Sequence, residues 1–412
     1  MLDPTRTVAE LRELQELTGD EDGAQRLAWT DTWQQAREWL RGKVTGTGAE
    51  ETIDAAGNQW FTLAGTSERA LLIGGHIDSV PNGGWLDGAL NVMAGVEVLR
   101  RFAGEGTPPL AVRLVNWADE EGARFGRSLF GSSAAAGSMA DQEELRQRKD
   151  ADGIALPEAI GRFGVDLDSA LDAKSELGNA AAYLELHIEQ GPVLEAMNLP
   201  LGVVLGTFGV ERHQLTFRGQ AAHAGSTPMD KRRDALAGAA KLELELREIA
   251  ARIGGGAVCT MGGLVTKPGI VTSVVETAEC LLDQRHLDEV QLAEMLDNAK
   301  AASRRFAQEE ELEVEWERIW DIEPILFDER LIELADESIR EVAGSSHRLP
   351  SGPLHDAAEV ARAGVPTVMI FVQSLRGLSH TKVEDTKEEH LELAVQALDR
   401  LASRTIAAVA AD

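Results

Sequence analysis

The sequence predicts an α/β fold: a mixed-sheet α/β/α domain at 1–209 and 326–412, interrupted by a smaller α+β sandwich at 210–325. At 412 residues the chain is too long for one ordinary core. Its first half alternates short apolar runs with amphipathic stretches, as strands feeding helices do. Near residue 210 the period changes to two, and the earlier style returns after Pro324.

Residues 8–18 (VAELRELQELT) and 25–41 (QRLAWTDTWQQAREWLR) space Val, Leu and Trp as helices do. Apolar runs around Ile53 and at Leu71–Ile73, split by the turn Ala56-Gly57-Asn58, are read as strands. Residues 89–102 put Val92, Met93, Val96, Leu99 and Phe102 on one helical face, and Leu110–Trp117 and Tyr183–Leu186 read as buried strands. In VERHQLTFRGQ, 210–220, Leu215 and Phe217 face one way while Gln214, Thr216 and Arg218 face the other. A helix at 230–252, strands at 255–265 and 276–286, a helix at 288–309 and a strand at 311–319 complete a small sandwich with one open sheet face. After Pro324 follow a helix at 328–343, a turn at Ser351-Gly352-Pro353, a helix at 355–363, the strand Thr367–Val372 and a last helix at 388–409.

Composition excludes several classes. No apolar run approaches the roughly 18 residues of a membrane span, and the N-terminus MLDPTRTVAELREL lacks the apolar segment of a secretory signal. Two cysteines, Cys259 and Cys280, are too few for a disulfide framework and predict buried thiols in a reducing cytoplasm. A formal charge of −29 argues against nucleic-acid or anionic-membrane partners, because the summed field repels phosphates.

Ligands in open α/β sheets bind beyond the carboxyl ends of strands. His76, Asp78 and Asp87 follow the strand at Leu71–Ile73; Asp119, Glu120 and Glu121 follow Leu110–Trp117; His187, Glu189 and Gln190 follow Tyr183–Leu186; His380 follows Thr367–Val372. A lone histidine at a strand end is usually structural, and Glu120-Glu121 alone would read as a solvated turn. Together these imidazoles and carboxylates are the nitrogen and oxygen ligands that suit zinc, or manganese, cobalt and nickel. A carboxylate can bridge two cations through its two oxygens, and adjacent glutamates suit one ligand and one proton shuttle. Asp87 has a simpler reading as the N-cap of the helix at 89–102. Signatures of serine-hydrolase elbows, P-loops, dinucleotide folds and H-E-x-x-H proteases are absent from the sequence.

The segments GGHIDSVPNGGWLDGAL, DEEGARFG, LHIEQGP, GQAAHAGSTPM with RRDAL, and GLSHTKVEDT resemble the signatures of dinuclear zinc amidohydrolases of the N-carbamoyl-L-amino-acid hydrolase type. Allantoate amidohydrolase and β-ureidopropionase are near relatives of that type; aminoacylases and co-catalytic zinc exopeptidases are more distant. The motifs follow the family's order across nearly the whole chain. The resemblance implies a zinc exopeptidase-like catalytic domain with an inserted dimerisation or lid domain. It implies two divalent ions per subunit, His76 and His187 on one, Glu121 and His380 on the other, and Asp87 bridging. Glu120 is then the general base, taking a proton from water and passing it to the leaving nitrogen, and Asp78 orients His76. His223 reaches the partner subunit's site in a homodimer and polarises the scissile carbonyl. Gln190 hydrogen-bonds the ureido or amide group, and Arg285 grips the substrate carboxylate with a fork that Lys lacks.

Two departures stand out. The family's AVNVIPG reads IVTSVVE at 270–276, with Thr272 at the carboxylate-binding Asn. SGPLHDAAEVA replaces SGAGHDA and keeps His355 and Asp356, read as lying near the site. Arg376 offers a second cation to an acidic substrate. The implied reaction converts an N-carbamoyl-L-amino acid to the amino acid, carbon dioxide and ammonia. Allantoate or another ureido acid, and an N-acyl amino acid or dipeptide, are the alternative substrates. A non-catalytic metal-binding scaffold is the rival from another class, disfavoured because every residue the chemistry needs is present.

Overall fold

The computed structural model describes residues 1–139 and 142–410. It divides into two compact units, Met1–Leu205 with Phe327–Asp412, and Gly206–Leu326.

The first unit is built on a mixed sheet. Four parallel neighbours run in the order Leu110–Trp117, Ser67–His76, Ala180–Ile188, Thr367–Val372. His76 pairs with Trp117 and His187 with Phe371, so the strand ends that carry the two histidines stay in register with their neighbours. Antiparallel strands flank them: Leu201–Thr207 beside Thr367–Val372, and the hairpin Glu50–Ile53/Gln59–Leu63 beside Leu110–Trp117. LAVRLVNW is buried along its whole length, as a strand covered on both faces must be. Helices Ala89–Glu105 and Glu388–Ala410 pack on the strands, joined by Pro4–Thr18 and Glu329–Ala343. Helix Pro4–Thr18 begins where the Asp3 side chain accepts the Arg6 N–H, and it turns Val8, Leu11 and Leu14 into the core. The short helices Phe130–Ala136 and Asp356–Arg362 pack on each other.

The second unit has the order strand, helix, strand, strand, helix, strand. Its antiparallel sheet runs Val258–Lys267, Thr277–His286, Gly209–Arg218, Glu313–Ile322. Helices Ala235–Ile253 and Glu289–Glu309 bury Leu242, Leu246 and Met295 with Leu215, Phe217 and Cys280 from the sheet. Val258, Leu264, Leu281 and Ile319 stay exposed. Both cysteines carry free thiols that burial pushes up to about 11.

Some local expectations are corrected. The helix read at 25–41 begins only at Asp31, because Thr30 caps it and accepts the Trp33 N–H. The helix read from 230 starts at Ala235, behind its cap Asp234. The run at 51–75 holds three strands: Gln59–Leu63, carrying buried Trp60 and Phe61, lies between those expected. No helix among the described residues is long and apolar enough to cross a membrane.

Candidate metal centre

Most of the residues singled out in the sequence lie at the carboxyl ends of the four parallel strands or in the loops that follow them; His223, Thr272 and Arg285 lie in the second unit. Strand Ser67–His76 ends at His76, and the chain loops back to start helix Ala89–Glu105 at Gly88. Gly88 has φ 63°, and a Cβ there would lie 2.3 Å from the His76 ring, so only glycine lets the loop close over the imidazole. That helix has no side-chain cap bond. The Asp87 carboxylate is therefore not spent on capping and faces the histidines instead. Asp119, Gln190 and His380 hold left-handed backbone, φ 57°, 55° and 56°. Such non-glycine conformations persist only where the surroundings impose them.

Asp87 organises the centre. Its Oδ1 lies 3.1 Å from His187 Nε2 and 3.8 Å from His76 Nε2. Its Oδ2 lies 3.3 Å from His380 Nε2, which is 3.4 Å from Glu121 Oε2. Three sets of donors fall within 4.8 Å of one another: His76, Asp87 and His187; Asp87, Glu121 and His380; His76, Glu120 and Glu121. The first two sets use the two faces of one carboxylate. Glu120 Oε2 is 3.7 Å from His76 Nε2. Asp78 sits beneath: His76 Nδ1 is 3.1 Å from the Asp78 carbonyl and 3.7 Å from its carboxylate. That carboxylate also accepts the backbone N–H groups of Glu120 and Glu121, at 3.4 and 3.2 Å, tying the two acidic loops together.

The charges are out of balance. Burial, with Glu121 beside it, raises Glu120 well above the carboxylate range; burial and Asp87 do the same to Glu121. Burial and Asp119 raise Asp78 to about 8. Burial works against Asp87 too, but hydrogen bonds from His187 and His380 outweigh it and hold that carboxyl well below the usual range. His187 is pushed up to about 9: burial opposes its charge, and the Asp87 hydrogen bond and charge win. Burial lowers His76 to about 4. Buried carboxylates held up by mutual repulsion, with the buried Glu121 Oε1 lacking any hydrogen-bond partner, fit a site made for cations. The donor set of imidazole and carboxylate fits divalent metals.

Gln190 Nε2 donates to Asp87 Oδ2 at 2.9 Å and to Ser379 Oγ at 3.0 Å, and its Oε1 is buried without a partner. His355 is buried with its ring centroid 4.3 Å from that of His187. Arg376 is exposed, and its guanidinium donates to the Val383 carbonyl. In the second unit His223 and Thr272 lie on adjoining loops, where Ala224 N–H donates to Thr272 O at 2.8 Å. His223 Nδ1 accepts the N–H groups of Gly225 and Ser226 at 3.1 and 3.2 Å. Arg285 Nε donates to Asp283 Oδ1 at 2.7 Å.

Sequence reasoning passed over Ser379 and Glu384. Ser379 Oγ lies within hydrogen-bond distance of Asp87 Oδ2, at 2.8 Å, and Glu384 Oε2, at 3.0 Å, and its single O–H can donate to only one of them at a time. Glu384 Oε1 accepts the Leu86 and Asp87 N–H groups at 3.1 and 3.0 Å, and a Cβ on Gly84 would lie 2.0 Å from that carboxyl group. The signal was in GLSHTKVEDT, where only the histidine suggested a ligand.

Residues 72–404 match the profile of peptidase family M20/M25/M40. The chain is 38% identical over 375 residues to N-carbamoyl-L-amino acid amidohydrolase of Geobacillus stearothermophilus, covering 89% of this chain and 90% of that one. It is 31% identical over 380 residues to allantoate amidohydrolase of Escherichia coli, covering 91% of each. An amidase of the hydantoinase/carbamoylase family from Burkholderia multivorans superimposes with TM-score 0.89 at 31% identity, over 98% of both chains.

Proposed function

The chain belongs to peptidase family M20/M25/M40, and from that premise we propose that it hydrolyses the ureido C–N bond of an N-carbamoyl-L-amino acid, releasing the amino acid, carbon dioxide and ammonia. The observation that carries this reading is the Asp87 carboxylate, with His76 and His187 near one oxygen and His380 near the other. We assign one divalent ion to His76 and His187 and a second to Glu121 and His380, with Asp87 shared and zinc the first choice. Bound there, two cations supply Lewis-acid polarisation of a carbonyl oxygen and lower the pKa of an attacking water.

The protein's own groups do the rest. Glu120, buried with its Oε2 3.7 Å from His76 Nε2, accepts the water's proton and delivers it to the leaving nitrogen. Asp78 holds the His76 ring and the Glu120-Glu121 backbone in one arrangement. Gln190 turns its unpartnered Oε1 to a ureido N–H. Because His223 Nδ1 accepts two backbone N–H groups, the neutral ring carries its proton on Nε2. That N–H is the donor a developing oxyanion needs. Arg285, aligned by Asp283, takes the α-carboxylate, and the exposed Thr272 replaces the family's Asn beside it in role.

Allantoate is the second reading, favoured by the similarity to allantoate amidohydrolases. Ammonia release from a panel of N-carbamoyl-L-amino acids beside allantoate separates the two. The first reading expects kcat/KM for at least one N-carbamoyl-L-amino acid to exceed that for allantoate at least tenfold, and the reverse order replaces it.

We also assign a homodimer made through the second unit, whose sheet ends in the edge strand Val258–Lys267 with Val258, Leu264 and Val265 exposed. Mixing inactive Glu120→Gln and His223→Ala subunits then restores part of the activity, since one site per heterodimer holds both intact residues. Heterodimers that remain inactive would place His223 in the site of its own chain or outside the chemistry.

A further inference from the structure

We propose that the segment Gly19–Thr30 is a strap that sets the ligand-bearing loops in place, with Arg26 and Trp29 as positioning residues; this rests on the function proposed above. The segment lies outside the residues 72–404 that match the family. It makes no ligand of its own, yet it touches three of the loops that carry them.

Arg26 is fully buried and clasps the turn after His76. Its Nε donates to the Ile77 carbonyl at 2.7 Å. Its backbone N–H donates to Ser79 Oγ at 3.1 Å, and its carbonyl accepts the Ser79 N–H at 3.1 Å. Trp29 clasps the acidic loop. Its Nε1 donates to Asp119 Oδ2 at 2.8 Å, immediately before Glu120-Glu121, and Arg124 just beyond donates to the Trp29 carbonyl. The Asp78 carboxylate joins the two clasped loops through the Glu120 and Glu121 N–H groups. Nearer the start of the strap, Ala24 and Gly83 exchange backbone hydrogen bonds at 2.9 and 3.2 Å. Lys382 Nζ, close after His380, reaches Glu21 O at 3.2 Å and Asp22 Oδ1 at 3.3 Å.

Several of the strap's contact points hold left-handed backbone, Asn82 among them through its N–H to Gln25 Oε1 at 3.4 Å. Trp29, Asn82 and Asp119 all have left-handed φ, 61°, 58° and 57°. The Trp29 ring is already seated against Trp33 and Phe130, with centroids at 4.8 and 5.6 Å. Its indole N–H adds a directed bond to Asp119, the residue that precedes the acidic pair. Hydrogen bonds behind ligands fix their orientation, and their removal usually costs about 10–100-fold in metal affinity.

Trp29→Phe keeps the ring packing and removes the N–H, while Arg26→Lys keeps the buried charge and loses the Nε bond. Trp39→Phe is the control, since it removes an indole N–H bonded at the surface to Glu13 Oε1 at 2.7 Å. Each full-length protein, stripped of metal, is titrated with Co(II) while its visible absorption is recorded, and kcat and KM are measured after loading. We expect both strap variants to fold, to bind one of two Co(II) ions about 10–100-fold more weakly with an altered spectrum, and to lose kcat with little change in KM. Trp39→Phe should match the wild type. Strap variants with the wild-type Co(II) titration and spectrum overturn the strap, even if their melting temperature falls. A wild type that takes up no Co(II) overturns the proposed function and the strap with it. A wild type that binds Co(II), beside variants that bind it identically, overturns the strap alone.

Discussion

Glu120→Gln lowers kcat on an N-carbamoyl amino acid by about 10²–10⁴-fold, the range a positioned general base supplies, and leaves metal content and folding unchanged. The amide has the size and hydrogen-bonding shape of the carboxyl group but cannot accept and return a proton. Glu120 suits that role because it is buried and its Oε2 lies on the His76 side of the cluster, 3.7 Å from His76 Nε2. Glu121 is the contrasting case: its Oε2 approaches His380 at 3.4 Å, so Glu121→Gln should lose metal first. Metal analysis beside kcat decides between them. If Glu120→Gln loses an ion while Glu121→Gln retains both, the two roles are exchanged.

The second large effect concerns metal removal. Freed of cations, the protein becomes less stable as pH rises from about 5 to about 8, on the order of 5–10 °C in Tm. Unfolded carboxylates titrate near pH 4, whereas Asp78 is raised to about 8 and Glu120 and Glu121 well above their usual range. The folded chain therefore binds more protons than the unfolded chain through this window. Their stabilising contribution is full below the unfolded pKa and is lost as pH climbs through the folded values. His187, raised to about 9, acts in the same direction at the upper end. Asp87 is lowered, so its own window lies below about pH 4. His76, lowered to about 4, opposes the trend up to its unfolded value near 6.5, one group against three raised carboxyls. In the metal-loaded protein the cations neutralise the same carboxylates, and the slope should vanish. Parallel melts of stripped and loaded protein measure the gap, which should widen with pH. Equal slopes would mean that these groups do not face a shared cation site.

Much of the architecture was legible because it depends on local periodicity. LAVRLVNW read as a buried strand and is one, covered on both faces, and the period-two run from Val210 marked the sheet of the second unit. Boundaries were less legible where a cap rather than an apolar pattern decides them, as at Thr30 and Asp234. The strand at Gln59–Leu63 was passed over because its buried pair Trp60-Phe61 follows a turn too closely to show a period.

By itself, the sequence determined which residue types were available for chemistry and that they follow the ends of separate strands, because ligand identity and strand period are both local properties. It determined the acidic pair, the histidines and the order of elements. Only the tertiary structure decided that Asp87 turns its two oxygens to different histidines, that Asp78 ties its own loop to the next through backbone N–H groups, and that Ser379 and Glu384 stand behind Asp87. Only there do Arg26 and Trp29, whose composition reads as ordinary helix, become braces for loops 51 and 90 residues away. The physical reason is that a hydrogen bond is short and directional, set by where two distant backbones come to rest. No pattern along one stretch of chain encodes that meeting point.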